Sequence, residues 1–138
     1  MKERELDDWL RRVAAQRRAV AERALADLDL TAAQFAVLRV VAEQPGVSAA
    51  DVARIERLTP PTMSVIVGNL IRKEALAWRP HPDNARVRQL SVTESGARQI
   101  QEGATRLVGS ERRIRAILEP DEELLMIRWL RAMAESGP

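Results

Sequence analysis

Between Leu58 and Val92 the spacing of apolar residues changes period, and this change constrains the fold more than any other feature of the sequence. In "LTPPTMSVIVGNLIRKE", Met63, Ile66, Val67 and Leu70 fall at i, i+3, i+4 and i+7, one stripe of an α-helix that faces a core. Thr59 suits the N-cap, and Pro60 stands at the first helical position, where its missing N–H is no loss. The segments "ALAWR" and "VRQLSV" then alternate. Leu76 and Trp78 share one side of their run, and Leu90 and Val92 share one side of theirs. The intervening "PHPDNA" is made of turn formers, so the two runs predict an antiparallel hairpin with a tip of about eight residues, Arg79 to Arg86.

Helical spacing governs the rest. Leu6, Trp9, Leu10, Val13, Val20, Ala24 and Leu28 predict a long first helix over 4–27. Thr31 caps a second helix with Phe35, Leu38 and Val41 inside, and Pro45–Gly46 break the chain after it. Ser48 followed by Asp51 resembles a capping box and starts a short helix through about Ile55. Thr93 caps a long helix through about Leu118, with Ile100, Leu107 and Ile114 on one face. Pro120 opens a last helix, whose first turn holds Asp121, Glu122 and Glu123, where the helix dipole favours acids.

The predicted class is therefore mainly α with a small β-hairpin wing. A winged helix-turn-helix over 31–93 is flanked by helical regions 1–30 and 94–138, within the one domain expected of 138 residues. The outer helices carry more apolar surface than the winged part can cover. A second copy of the chain is the expected cover, through Leu6, Trp9, Leu10 and Val13 of the first helix and Leu124, Ile127, Leu130 and Met133 of the last.

Opposite its core stripe, the helix after Thr59 presents Pro61, Thr62, Ser64, Val65, Gly68 and Asn69, with no charge where a solvated face carries Lys and Glu. In a helix-turn-helix the second helix lies in the major groove with its N-terminal residues against base edges. Short side chains let the backbone approach. Thr62, Ser64 and Asn69 supply donors and acceptors, and Val65 packs on a thymine methyl. Gly68 lowers helix stability by about 0.8–1 kcal/mol relative to Ala, which makes most sense where something approaches closely. Cations surround this face. Residues 51–90 hold Arg54, Arg57, Arg72, Lys73, Arg79, Arg86 and Arg88 against Asp51, Glu56, Glu74 and Asp83, whereas the first fifty residues balance. Arg72 and Lys73 at the helix end, with Arg79, Arg86 and Arg88 on the hairpin, are placed for phosphates or the minor groove of double-stranded DNA.

Several classes are disfavoured. Without cysteine there is no disulfide, thiolate metal site or thiol redox sensor, and His81 alone in a turn is a surface histidine rather than a metal ligand. No metal or cofactor is expected. Serines and threonines between 31 and 95 have no histidine beside them to act as base, and the consecutive acids 121–123 point apart, so an enzyme is not expected. No apolar run approaches a membrane span, and the charged start lacks a signal-peptide core, so a cytoplasmic protein without membrane partners is the expectation. Trp9 and Trp129 read as packing residues, Trp78 as hairpin core, and Gly96 as a site of close helix packing.

Three segments carry a resemblance: "LTAAQFAVLRVVAEQPGVSAADVA", "LTPPTMSVIVGNLIRKEALAWR" and the wing "HPDNARVRQLSVTESG". Their order and spacing are similar to the MarR family of bacterial transcriptional regulators, with Pro82, Arg86, Thr93 and Gly96 in register with the family wing and Val92 in place of a Leu. The resemblance implies a dimer joined through its first and last helices that binds a palindromic operator, usually as a repressor. It also implies release by a small-molecule effector in a cleft between dimer helices and winged domain. It implies major-groove roles for Pro61, Thr62, Ser64, Val65 and Asn69, and a wing-tip role for Arg86. Four positions depart from the pattern: Asn84 for the wing Asp, Glu74 for the Gly ending the recognition helix, Val65 for an Arg, and Trp78 for a basic residue. They bear on operator strength more than on fold. The competing class is a winged-helix protein-interaction module, or antirepressor, with a weakened DNA surface.

Overall fold

The computed structural model describes residues 2–137. Its elements run α1 (Glu5–Leu25), a 3-10 turn (Ala26–Leu28), α2 (Ala32–Glu43), α3 (Ala49–Ile55), α4 (Pro60–Arg72), β1 (Leu76–Pro80), β2 (Arg88–Val92), α5 (Glu94–Arg115) and α6 (Pro120–Glu135). Helix starts follow the caps in the sequence. Thr31 accepts from the Gln34 amide at 3.0 Å while the Gln34 side chain accepts from the Thr31 amide at 3.2 Å, a full capping box. Ser48 accepts from Asp51 N–H, Thr59 from Thr62 N–H and Thr93 from Gly96 N–H, at 3.0, 3.3 and 3.0 Å.

Three helical segments, the 3-10 turn, α3 and α4, are followed by left-handed residues other than glycine: Asp29, Arg57 and Glu74 have φ of 55°, 55° and 59°. After α4, Glu74 N–H donates to Ile71 and Ala75 N–H to Leu70, both at 2.9 Å, the paired bonds of a Schellman turn. The helix expected to run to residue 27 ends at Leu25 because the chain turns through the 3-10 segment to Asp29. Likewise α5 stops at Arg115. Ile117 and Leu118 donate to Ile114 and Arg115, tighter i−3 bonds that end the helix ahead of Pro120.

The chain forms two compact units, residues 1–106 and 107–138. In the first, α2 is the hub and packs against α1, α3, α4 and β2. Leu25, Val37, Leu38, Val52, Leu70, Leu76 and Leu90 are fully enclosed there, each worth about 1.5–3 kcal/mol in buried apolar surface. The two strands pair antiparallel with Leu76 opposite Val92, Trp78 opposite Leu90 and Pro80 opposite Arg88. The hairpin tip therefore spans His81 to Val87, set slightly further along the chain than expected. Two glycines set how α5 sits in this unit. A Cβ on Gly96 would overlap the Ala75 carbonyl oxygen, and one on Gly103 would overlap the Phe35 ring.

The second unit holds the end of α5 and α6, tied by an Arg115–Glu123 ion pair at 3.0 Å. No α6 residue is buried, and Leu124, Ile127, Trp129, Leu130 and Met133 are all exposed. In the first unit Leu6, Trp9 and Val13 on α1 are exposed as well, while Leu10 is half-buried. Trp9, 55% exposed, is covered only in part by the Arg12 guanidinium stacked 5.0 Å from its ring centre. Among the described residues no helix is long and apolar enough to cross a membrane.

Candidate nucleic-acid interface

The exposed face of α4 is organised by what its core face buries. Met63, Ile66, Val67 and Leu70 are buried, so the 100° step per residue turns Pro61, Thr62, Ser64 and Val65 outward, all exposed, with Gly68 and Asn69 half-buried beside them. Val65 is 62% exposed at the middle of this face. Thr62 is also part of the helix start, its Oγ1 accepting from the Thr59 hydroxyl at 2.9 Å. A Cβ on Gly68 would meet nothing closer than the Arg72 guanidinium at 4.0 Å. No packing among the described residues therefore requires glycine there.

The cations divide into engaged and free. Arg72 donates to Asn69 Oδ1, which fills one of the two acceptor positions of the amide oxygen. Lys73 turns away from this face. Its ammonium donates to the Asp29 carbonyl and to Gln34 Oε1 at 3.3 Å, and lies 3.4 Å from the Asp29 carboxylate, so it braces the α1–α2 junction. Lys73 thus departs from the phosphate-facing position expected of it, because it keeps helical φ and ψ and lies three residues after Leu70, in line with the buried stripe of α4. On the hairpin, Arg79 Nε donates across the strands to Ser91 Oγ at 3.0 Å, and Arg88 stacks 4.5 Å from the Trp78 ring centre. Trp78 is thereby half-buried under an arginine rather than enclosed in a hairpin core.

Arg86 remains exposed at the wing tip, its guanidinium without a partner among the described residues. The tip around it is built from its own polar groups. Asn84 Oδ1 accepts from Arg86 N–H at 3.2 Å, and His81 Nδ1 accepts from Asp83 N–H at 3.0 Å. Asn84 shapes the turn through the backbone of residue 86 and leaves the Arg86 side chain unanchored. Gln89 Nε2 donates to the Gly46 carbonyl at 3.3 Å, which fixes β2 against the α2–α3 turn.

Sequence reasoning missed an open cavity of ≈ 650 Å³ beside the recognition helix, whose lining includes Ala50, Ala53, Met63, Gly68 and Trp78, with Arg54 among the polar residues. Its signal was the run of alanines in α3, which reads as ordinary helix former until α4 and β1 are set opposite it. Arg54 pairs with Asp51 at 3.3 Å. Hydrogen bonding from Ser48, then the nearby Arg54, holds the Asp51 carboxyl below the ordinary aspartate value. Among the described residues no group of His, Cys, Asp and Glu side chains could hold a metal ion.

Residues 28–87 match the sequence model of the MarR family. The HTH-type transcriptional repressor Rv2887 of Mycobacterium tuberculosis is 32% identical over 87 residues, 63% of this chain and 63% of that protein. The match thus spans less than two thirds of the curated relatives' length. Among solved structures, CouR of Rhodococcus jostii RHA1 bound to p-coumaroyl-CoA superposes with a TM-score of 0.89 at 21% identity, covering 97% of this chain and 94% of that one. The S. aureus MepR–DNA complex gives a TM-score of 0.82 at 21% identity, covering 96% of each chain. At that identity the likeness is one of fold. The winged helix-turn-helix of this chain is thus similar to the MarR family over residues 28–87, and the whole chain shares the fold of these structures.

Proposed function

We propose that the protein is a DNA-binding transcriptional regulator, acting as a homodimeric repressor on a palindromic operator in the cytoplasm. The observation that carries this reading is the exposed, uncharged face of α4, together with the unpartnered Arg86 of the wing tip. Residues 31–93 form the DNA-reading part, with Pro61, Thr62, Ser64, Val65 and Asn69 toward bases and Arg72, Arg79, Arg86 and Arg88 toward phosphates. Arg79 and Arg88 act from positions already fixed by Ser91 and Trp78, so less side-chain freedom is lost on contact. The repressor name of Rv2887 and the MepR–DNA structure support the reading.

Segments 1–30 and 94–138 supply the dimer contacts, because α1 and α6 expose apolar side chains that a monomer leaves in water. The two α4 helices would then enter major grooves about 34–36 Å apart, or a multiple of that spacing. CouR is described with p-coumaroyl-CoA, and the structure of Bordetella bronchiseptica BpsR with regulation by 6-hydroxynicotinic acid. By analogy a small effector loosens this protein from DNA, and the cavity behind α4 is its candidate seat. A ligand there acts only by favouring one placement of α4 over another.

Fluorescence anisotropy of a labelled random-sequence duplex of about 30 bp across a salt series tests the reading. Six or more phosphate contacts predict a fall in affinity of about a thousandfold between 50 and 200 mM salt. Arg86→Ala removes one phosphate contact from each protomer and should make the slope shallower by about 1.8 for the dimer. Negligible binding at low salt would overturn the reading in favour of a protein-interaction module.

A further inference from the structure

The centre of the α4 face lacks the chemistry that reads guanine. Guanine is specified chiefly by an arginine or lysine reaching O6 and N7, and α4 has no cation before Arg72, in its last turn. Arg72 is paired with Asn69, Lys73 is turned to Asp29 and Gln34, and Arg54 on α3 is held by Asp51. The amide that could read adenine lies off this centre. Asn69 is one turn beyond Val65, toward the end of the helix, and its oxygen shares its acceptor capacity with Arg72.

What remains at the centre is apolar. Val65 projects 62% exposed, Pro61 lies one turn before it on the same side, and Gly68 leaves the following turn open. In the major groove the one apolar feature is the thymine C5-methyl. Resting on the DNA-binding reading above, we infer that Val65 is the specificity-determining residue of the recognition helix. It reads thymine through its 5-methyl group, so the half-site presents an A·T pair rather than a G·C pair to the middle of α4. The hydroxyls of Thr62 and Ser64, which accept either kind of base, flank this contact without setting it.

The test removes the methyl and nothing else. A preferred duplex is selected from a random pool, and its thymines are replaced singly by deoxyuridine, which pairs identically with adenine. Binding is then measured for wild type, Val65→Ser and Val65→Asn, which keep a Cβ but carry no methyl. At one thymine per half-site the wild type should weaken about fourfold per methyl lost, and about fifteenfold when both half-sites change. Val65→Ser and Val65→Asn should bind the thymine and uracil duplexes nearly equally. If wild type is indifferent to uracil at every position while still preferring its selected sequence, the inference is overturned. It is also overturned if the variants keep the full thymine preference, because another residue then reads the methyl. Loss of all salt-dependent duplex binding is a separate outcome. It would remove the DNA-binding reading and this inference with it.

Discussion

Glu74 holds a left-handed backbone conformation, φ 59°, at the turn that ends the recognition helix, so replacing it with glycine should stabilise the protein. For a residue with a Cβ this conformation is unfavourable by about 1–2 kcal/mol, and glycine adopts it freely. Glycine also has more freedom to lose from the unfolded chain, which offsets about 0.4–1 kcal/mol. The net expectation for Glu74→Gly is a gain of about 0.5–1 kcal/mol, or about 2–4 °C in Tm for a chain of this size. The side chain is exposed, and the turn's contacts are backbone groups that the substitution keeps. These include the Thr93 hydroxyl donating to the Glu74 carbonyl at 2.5 Å. Urea unfolding followed by far-UV circular dichroism, at one fixed protein concentration, measures the change. Glu74→Ala is the control, since it removes the charge while keeping the Cβ. A glycine variant no more stable than the alanine variant would refute the strain argument.

Two further glycines should respond in opposite ways. Gly96→Ala would drive a methyl into the Ala75 carbonyl and within 3.0 Å of Val92 Cγ1, and should destabilise by about 1–3 kcal/mol in the same unfolding assay. Gly68→Ala has room, and should stabilise by up to about 1 kcal/mol while weakening duplex binding in the anisotropy titration. Lys73→Met should lower the urea midpoint and leave the salt slope of DNA binding unchanged, unlike Arg86→Ala. Glu56 provides a pH test. Desolvation, reinforced by Glu43, raises its carboxyl above the ordinary value, so the folded state binds the extra proton. Its favourable contribution is complete below the ordinary glutamate range and is lost as pH rises through the raised value. Glu56→Gln should therefore be the more stable protein at neutral pH and match wild type in acid, as read from urea midpoints across the pH series.

Local chemistry made much of this molecule legible in advance. Helix starts at Thr31, Ser48, Thr59 and Thr93 follow from side chains that satisfy amides three residues on, a relation contained within one turn of chain. The core stripe of α4 and the alternation of the hairpin are likewise periodicities of the sequence, and each fixes which side of an element is buried. Matters that depend on distant residues were decided only by the tertiary structure. No local rule says that Lys73 points to Asp29 and Gln34, some forty positions away in sequence, or that Arg88 stacks on Trp78 while Arg86 stays free. The left-handed turn at Glu74 has no local signal, because the residue is not glycine. Packing of α4, β1 and the Thr93 cap against one another imposes the turn, and strain at one residue is smaller than the burial it permits. The cavity behind α4 has the same origin, since a hollow exists only between surfaces that separate segments bring together. Sequence by itself determined the elements and the chemistry each face carries. Tertiary structure decided which of those groups face one another and which are left for a partner, because short-range bonding sets the first and long-range packing the second.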